Sequence, residues 1–139
     1  MKILIAGGSG LIGSQLTSFL IENGQKVAHL SRRTGKSSVQ TYRWDPLKKQ
    51  IDNEAVSNAD FVINLSGAGI ADKRWNASYK RELYDSRIGS TAFLFKKLKE
   101  IPNNVKGVIS ASAAGYYGNI DDKIANEEMA NSSDFLGKM

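Results

Sequence analysis

The sequence predicts an α/β fold in which a doubly wound parallel β-sheet is flanked by helices. Two observations predict it. Short apolar segments typical of buried strands alternate with longer segments whose apolar residues recur at helical spacing. The first strand-like segment is followed directly by four glycines within seven positions. Alternation of this kind is typical of sheets whose parallel strands are joined by helices.

The first three predicted elements form a βαβ unit. Residues 3–6 are apolar throughout and predict a short buried strand. Beyond the glycines, Gly24 predicts the end of a helix, and residues 26–30 predict a second strand. The helix between them is indicated by apolar residues at helical spacing: Ile12, Leu16, Phe19 and Leu20.

Three further strands are predicted. Residues 39–44 predict a third strand, which Asp45-Pro46 ends. A buried fourth strand is expected within residues 59–67, and a fifth over residues 106–112. Residues 134–138 resemble the first turn of a further helix.

Between the fourth and fifth strands, the sequence predicts one long helix. Asn76 is a suitable N-cap, and Pro102 ends the helical pattern. The expected buried stripe of this helix consists of Tyr84, Ile88, Thr91, Phe95 and Leu98.

Composition excludes several functions. The 139 residues contain no cysteine, which excludes disulfides and thiol catalysis, and the single histidine, His29, leaves little scope for zinc. Because His29 lies in an apolar strand, we interpret it as a hydrogen-bonded core residue. No segment approaches the roughly 20 apolar residues that span a bilayer, so we expect a cytoplasmic protein without membrane contact.

The net charge of +5 fits an anionic small molecule and would also fit nucleic acid. Basic residues on the long helix alternate with acidic ones, however, which is typical of a solvated face. We therefore expect no nucleic acid as partner.

The glycine cluster carries the main functional prediction. Residues 8–13 match G-x-G-x-x-G between a predicted strand and a predicted helix, the context expected of a dinucleotide site. In this motif the first glycine permits the turn, the second admits a pyrophosphate and the third lets the helix pack on the strand. The predicted cofactor-binding residues here are Gly7, Gly8, Ser9, Gly10, Leu11, Ile12 and Gly13.

The end of the second strand indicates which dinucleotide binds. An acidic residue there would favour NAD, whereas this chain has Ser31-Arg32-Arg33, 18 to 20 residues after Gly13. A hydroxyl and two guanidinium groups suit a 2′-phosphate. We therefore predict NADP, with NAD as the alternative. Solvated loop charges are the other interpretation of the two arginines.

Several segments together resemble the extended short-chain dehydrogenase/reductase superfamily, and more narrowly its atypical branch described as sugar-nucleotide epimerases. The matching segments are GGSGLIG, LSRR, WDP, VINLSGAGIADKRW, DSRIGST and SASAAGYYG. The resemblance implies a Rossmann-type NAD(P)-binding domain over residues 1–118. Residues 119–139 would then begin the segment leading toward the substrate-binding part.

The resemblance also implies further cofactor contacts. Residues 64–69, among them Asn64, Ser66, Gly67 and Ala68, are expected to pass near the adenine and its ribose, where small residues let the main chain approach a ligand. Lys73 or Arg74 is expected to reach a phosphate. Solvated charges are an equal alternative for those two residues.

Only some of the superfamily's catalytic residues have candidate counterparts in this chain. Typical members use a serine, a tyrosine and a lysine, the last two spaced Tyr-x-x-x-Lys, but no tyrosine in this chain has a lysine four positions later. Ser112 lies one position before the place of the usual serine, and it is a candidate to hold a substrate hydroxyl. Tyr116 is a candidate to face the nicotinamide, although packing is the alternative role for Tyr116 and Tyr117.

Two functions therefore stay open. The first is an NADP-dependent epimerase or reductase acting on a sugar nucleotide, active in a full-length form that continues into further strands and a substrate domain. The second is a non-catalytic NADP-binding module that senses redox state or acts through a partner. The short chain is expected to leave a sheet edge exposed, which favours pairing with a second copy.

Overall fold

The computed structural model describes residues 1–33, 35 and 37–139. Six strands within these ranges form one sheet. They are β1 (Lys2–Ala6), β2 (Lys26–Ser31), β3 (Gln40–Asp45), β4 (Gln50–Ile51), β5 (Phe61–Asn64) and β6 (Gly107–Ser110).

Helices connect most of these strands. They are α1 (Leu11–Glu22), α2 (Asn53–Ser57), α3 (Ala77–Tyr84), a π-helical turn (Asp85–Gly89), α4 (Ser90–Glu100) and a 3₁₀ turn (Ala114–Tyr116). Within the described ranges, none of the helices is both long and apolar enough to pass through a lipid bilayer.

The sheet confirms the predicted fold class. Its strand order is β4-β3-β2-β1-β5-β6, and every neighbouring pair is parallel except β3 and β4. The sequence prediction missed β4 and α2. These elements have two and five residues, which is too short for a helical or strand periodicity to become visible.

Alternate residues of β1 point to opposite faces of the sheet and build two separate cores. Ile3 and Ile5 pack with Leu16 and Leu20 of α1 on one face. Leu4 and Ala6 belong to the larger core on the other face, which α2 and α4 cover with Ala55, Phe93 and Leu94. This two-sided packing is the doubly wound arrangement, and it leaves the ends of the parallel strands open for a ligand.

The predicted helix ends are confirmed. Gly24 follows α1 with a φ of +73°, a conformation that favours glycine. Asn76 caps α3 by accepting a hydrogen bond of 2.8 Å from the backbone N–H of Tyr79. The helical stretch that begins there ends at Glu100, two residues before Pro102.

The predicted buried stripe of the long helix is wrong at three of its five positions, whereas Leu98 packs against the larger core and Thr91 is partly buried. Tyr84, Ile88 and Phe95 are about 40% exposed. The π-helical turn inserts an extra residue into the helical repeat, and the buried face carries a neighbouring set of residues instead. These are Tyr79, Leu83, Ser90, Phe93 and Leu94.

Residues 119–139 fold back onto the rest of the chain. Phe135 packs edge-on against Trp75 with ring centroids 5.7 Å apart. The backbone N–H of Ser132 donates to the carbonyl of Tyr116 at 2.7 Å. At the predicted helical turn, the N–H of Lys138 donates to the carbonyl of Asp134 at 3.1 Å.

Candidate functional site

The candidate site lies where β1 and β5 end, at the carboxyl edge of the sheet. From β1 the chain proceeds outward to β2 and β3, whereas from β5 it proceeds to β6 on the other side. Open α/β sheets bind ligands at such a reversal of strand order, because the loops that follow the two strands diverge there. The glycine turn follows β1, and residues 65–70 follow β5.

Gly7 joins the two loops. Its φ is +83°, which favours glycine, and a Cβ at this position would lie 2.8 Å from the carbonyl carbon of Leu65. The turn after β1 and the loop after β5 are therefore in direct backbone contact. The turn conformation thus depends on Gly7, the residue before the first glycine of the motif, which is a correction to the sequence interpretation.

The three glycines of the motif serve different purposes. A Cβ at Gly8 would lie 2.6 Å from Cγ of His29, and a Cβ at Gly13 would lie 2.7 Å from the Cα of Gly8. A Cβ at Gly10 would meet only the Gly7 carbonyl oxygen, at 3.3 Å. Packing within the protein therefore accounts for glycine at positions 8 and 13. At position 10 the described residues leave the space that a side chain would fill largely open.

His29 lies directly beneath this turn. Thr17 Oγ1 donates to the Gly13 carbonyl at 2.7 Å and lies 2.8 Å from Nε2 of His29. Because the hydroxyl proton points to Gly13, we assign the proton of His29 to Nε2, which donates to Thr17. Burial lowers the pKa of His29 below its ordinary value, which favours this neutral form. The interpretation of His29 as a hydrogen-bonded residue is confirmed, although its side chain is only partly buried.

The amino end of α1 faces the same edge. Gly10 is its N-cap, no side chain caps it, and no acidic residue lies in its first turn. The N–H groups of residues 11–13 have no acceptor in the described part of the chain. Unpaired N–H groups and the helix dipole together favour an anion at this end. Leu11 and Ile12 place exposed apolar side chains beside it, 85% and 67% accessible.

Ser31, Arg32 and Arg33 follow at the carboxyl end of β2. Ser31 Oγ accepts a hydrogen bond of 3.1 Å from the backbone N–H of Arg33, and both arginine side chains are exposed. Neither arginine forms an ion pair with a carboxylate of residues 1–33, 35 or 37–139. Their guanidinium groups are thus available to an anionic ligand.

Asn64 organises the loop after β5. The sequence interpretation included it only as the first residue of the segment expected near the adenine and ribose, and did not identify its hydrogen bonds. Its side chain is 95% buried. Oδ1 accepts from the N–H and the hydroxyl of Ser66, at 3.2 and 2.6 Å, while Nδ2 donates to Thr91 Oγ1 at 2.9 Å. Asn64 therefore joins the loop that contains Ser66, Gly67 and Ala68 to helix α4.

The π-helical turn holds the same loop from the other side, which the sequence interpretation also missed. Ser86 Oγ accepts from the N–H of Ala68 at 3.0 Å, and Arg87 Nη2 donates to the Ala68 carbonyl at 2.9 Å. The guanidinium packs on Gly67, where a Cβ would lie 3.2 Å from Arg87 Cζ. The DSRIGST segment was noticed as a motif, but the sequence does not indicate these long-range contacts.

Lys73 and Arg74 differ in their surroundings. Lys73 Nζ lies 2.8 Å from Glu82 Oε2, and this hydrogen bond raises the pKa of Lys73. Arg74 is exposed and forms no ion pair with a described carboxylate. Of the two residues, Arg74 is the one whose charge is not already paired.

Ser112 and Tyr116 follow β6, and no hydrogen bond joins their side chains in the described structure. Ser112 is exposed, and Tyr116 is 41% exposed with its ring edge-on to Tyr117 at 5.1 Å. Within the described chain, neither side chain forms a hydrogen bond. The two rings thus pack against each other, and no described side chain forms a hydrogen-bonded acid–base pair with Ser112.

A small cavity lies at the opposite end of the strands from the candidate site. Its volume is about 70 Å³, and it is lined by the first residues of the parallel strands, including Lys2, Lys26 and Gln40. A space of that size holds a few water molecules and is too small for a dinucleotide.

Comparisons with known proteins agree with this arrangement. Residues 3–138 match the model of the NAD dependent epimerase/dehydratase family. An epimerase family protein of Mycobacterium leprae is 37% identical over 137 residues, which cover 99% of this chain and 44% of that protein. The chain thus spans less than half the length of that relative.

Two solved structures resemble the whole chain. The human epimerase family protein SDR39U1, solved with NADPH, has a TM-score of 0.85 and 27% identity, with coverage of 99% of this chain and 45% of that one. A nucleoside-diphosphate sugar epimerase from Corynebacterium glutamicum has a TM-score of 0.80 and 33% identity, with coverage of 99% and 28%.

Proposed function

The chain belongs to the NAD-dependent epimerase/dehydratase family, and from that premise we propose that it binds a nicotinamide dinucleotide across the glycine turn after β1. One observation carries the proposal. Of the three motif glycines, Gly10 alone has a side-chain position that the described residues leave largely free, with one contact at 3.3 Å. That free position lies at the amino end of α1 and beside the reversal of strand order, where a pyrophosphate would fit.

The residues around this position fit the parts of the ligand. The N–H groups of residues 11–13 would bind the pyrophosphate, and Ser66 to Ala68 would border the adenosine ribose. Arg74 is exposed and would bind a phosphate. When bound, the dinucleotide would supply hydride transfer. The chain's own contribution is to bind and orient it.

We propose NADP as the preferred dinucleotide. The end of β2 presents exposed Arg32 and Arg33 where an NAD site has an acidic residue. Guanidinium groups bind phosphate bidentately, so they would favour the 2′-phosphate. The human relative solved with NADPH supports the same choice.

The relatives described above are longer than this chain. For a protein of that length we propose an epimerase or reductase activity on a sugar nucleotide. The relative from Corynebacterium glutamicum, described as a nucleoside-diphosphate sugar epimerase, supports this substrate class. Ser112 would hold a substrate hydroxyl, and Tyr116 would lie toward the nicotinamide.

A non-catalytic dinucleotide-binding module is the second candidate. It is favoured by the absence of any tyrosine with a lysine four residues later. Such a module would bind NADPH without turning over any substrate. Steady turnover of a sugar nucleotide by the longer protein would exclude it.

The test is a fluorescence titration of this chain with NADPH and, in parallel, NADH. We expect tighter binding of NADPH, and we expect Arg32→Ala to weaken NADPH binding about tenfold while leaving NADH binding unchanged. Arg81→Ala is the matched control, because it removes an arginine that pairs with Asp85 on α3. Equal affinities would contradict the choice of NADP, and no binding of either dinucleotide would contradict the proposed function.

A further inference from the structure

Three successive carbonyl groups of the loop after β5 are bound by three side chains: Trp75, which lies just before the N-cap of α3, Tyr79 on α3, and Arg87 in the π-helical turn. The Ala68 carbonyl accepts from Arg87 Nη2 at 2.9 Å, the Gly69 carbonyl accepts from the Tyr79 hydroxyl, and the Ile70 carbonyl accepts from Trp75 Nε1 at 2.8 Å. We call Trp75, Tyr79 and Arg87 the carbonyl clasp.

The clasp is itself firmly held. Tyr79 is 97% buried, and the Asn76 cap fixes the start of its helix. Burial chiefly raises the pKa of the Tyr79 phenol, so the hydroxyl keeps the proton that it donates. The Leu83 carbonyl of α3 accepts from two side chains of the π-helical turn, Ser86 Oγ at 2.9 Å and Arg87 Nη1 at 3.4 Å. Arg87 therefore bridges the helical stretch and the loop with the two ends of one planar group.

Arg87 is not placed for an ion pair. Its side chain is half-buried, and no carboxylate of the described residues lies within 4.0 Å of it. Its observed partners are two backbone carbonyls and one hydroxyl. Hydrogen bonds to backbone carbonyls and a hydroxyl, rather than an ion pair, thus hold the Arg87 side chain in position.

The clasp determines the direction of the loop's N–H groups. In a trans peptide the C=O of one residue and the N–H of the next point in opposite directions. Because the carbonyls of residues 68 and 69 point to the helical stretch, the N–H groups of Gly69 and Ile70 point away from it. Neither N–H has an acceptor among the described residues.

We propose that the carbonyl clasp is a positioning device for the dinucleotide site. It rests on the proposed function, because its effect on a ligand exists only if the dinucleotide binds beside this loop. Through the Gly7–Leu65 contact the loop borders the glycine turn, so a loop held in one conformation presents a single binding surface. The clasp residues act through that loop, and Arg87 holds it at Ala68.

The test combines dinucleotide affinity with local hydrogen exchange, measured on the whole 139-residue chain. In Arg87→Ala we expect the Ala68 amide to exchange at least about tenfold faster and NADPH to bind about tenfold more weakly. Arg87→Lys keeps the positive charge but loses the planar guanidinium that donates to both carbonyls. Its NADPH affinity should therefore stay close to that of Arg87→Ala. Tyr79→Phe keeps the buried ring, and should give smaller changes of the same sign.

Two controls separate positioning from general effects. Arg81→Ala removes an exposed arginine of the same helical stretch, and Ile101→Val lowers overall stability at the far end of α4. Both should keep the wild-type NADPH affinity. The clasp proposal would be overturned if Arg87→Lys bound NADPH as tightly as the wild type. It would also be overturned if Arg87→Ala kept either the wild-type NADPH affinity or the wild-type exchange rate of the Ala68 amide. Failure of the wild-type chain to bind NADPH or NADH would instead overturn the proposed function, and the ligand role of the clasp with it.

Discussion

The two loops that border the candidate site are held by different forces. The glycine turn after β1 is fixed by close packing, in which Gly7 and Gly13 contact backbone and Gly8 contacts the His29 ring. The loop after β5 is fixed by side-chain hydrogen bonds from Asn64, Ser86, Arg87, Tyr79 and Trp75. Substitutions should therefore damage the two loops in different ways: added atoms harm the first, and removed polar groups harm the second.

The largest effect is expected from Gly13→Ala. Its Cβ would lie 2.7 Å from the Cα of Gly8, and backbone has little room to move away. We expect a loss of about 3 kcal/mol in the free energy of unfolding, measured by urea denaturation. Gly10→Ala is the matched control and should leave stability nearly unchanged. Equal losses in both variants would contradict the distinction between the two glycines.

A smaller loss of stability is expected from Gly8→Ala, and a second substitution that removes the His29 ring should relieve it. The added Cβ would press on the ring of His29, at a cost of about 2 kcal/mol. In the double variant Gly8→Ala/His29→Ala the ring is absent, so much of that cost should disappear. A double-mutant cycle measures this coupling. Additive losses would show that His29 is not the reason for glycine at position 8.

Removal of a polar side chain tests the second loop. Asn64→Ala deprives Ser66 of its acceptor and Thr91 of a donor, and we expect a loss of about 1.5 kcal/mol. Asn58→Ala is the control, since Asn58 is exposed and its side chain, within the described part of the chain, bonds to Glu54 alone, at 3.3 Å. NADPH affinity should fall in the first variant and not in the second. A stable Asn64→Ala chain with full affinity would mean that the loop does not depend on this side chain.

The smallest effect is expected from pH. Burial lowers the pKa of His29 in the folded chain, so the unfolded chain binds the proton more tightly, and its pKa is about 6.5. The stability associated with neutral His29 is therefore present above about pH 6.5 and is lost as the pH falls from there toward the folded pKa. Urea denaturation between pH 7.5 and pH 5 should show this loss in the wild type and less of it in His29→Gln. Identical pH profiles would contradict the assignment.

The comparison also shows what the sequence could predict. The strands, the α1 helix and the glycine turn depend on local signals: apolar runs, helical spacing and glycines in fixed positions. Asn76 and Pro102 act locally too, and both were identified correctly. The resemblance to known segments then indicated the family, which the comparisons confirmed.

The features that escaped prediction depend on contacts between distant parts of the chain. Arg87 reaches Ala68 across 19 residues and Asn64 reaches Thr91 across 27, and no sequence pattern encodes such pairs. The π-helical turn has no local signature here, so Tyr84, Ile88 and Phe95 were wrongly placed on the buried face of the long helix. Gly8 was assigned to the turn because the ring of His29, 21 positions away, is not visible as its neighbour in the sequence.

The central claim is that a dinucleotide binds where β1 and β5 end, and backbone amide NMR of the labelled chain during titration with NADPH tests it most directly. The account predicts that the largest shift changes occur at the amides of residues 10–13, followed by those of residues 66–70, and that Gly10→Ala weakens the binding without loss of fold. Shift changes centred on the opposite end of the strands, near Lys2 and Lys26, or no changes at all, would contradict it.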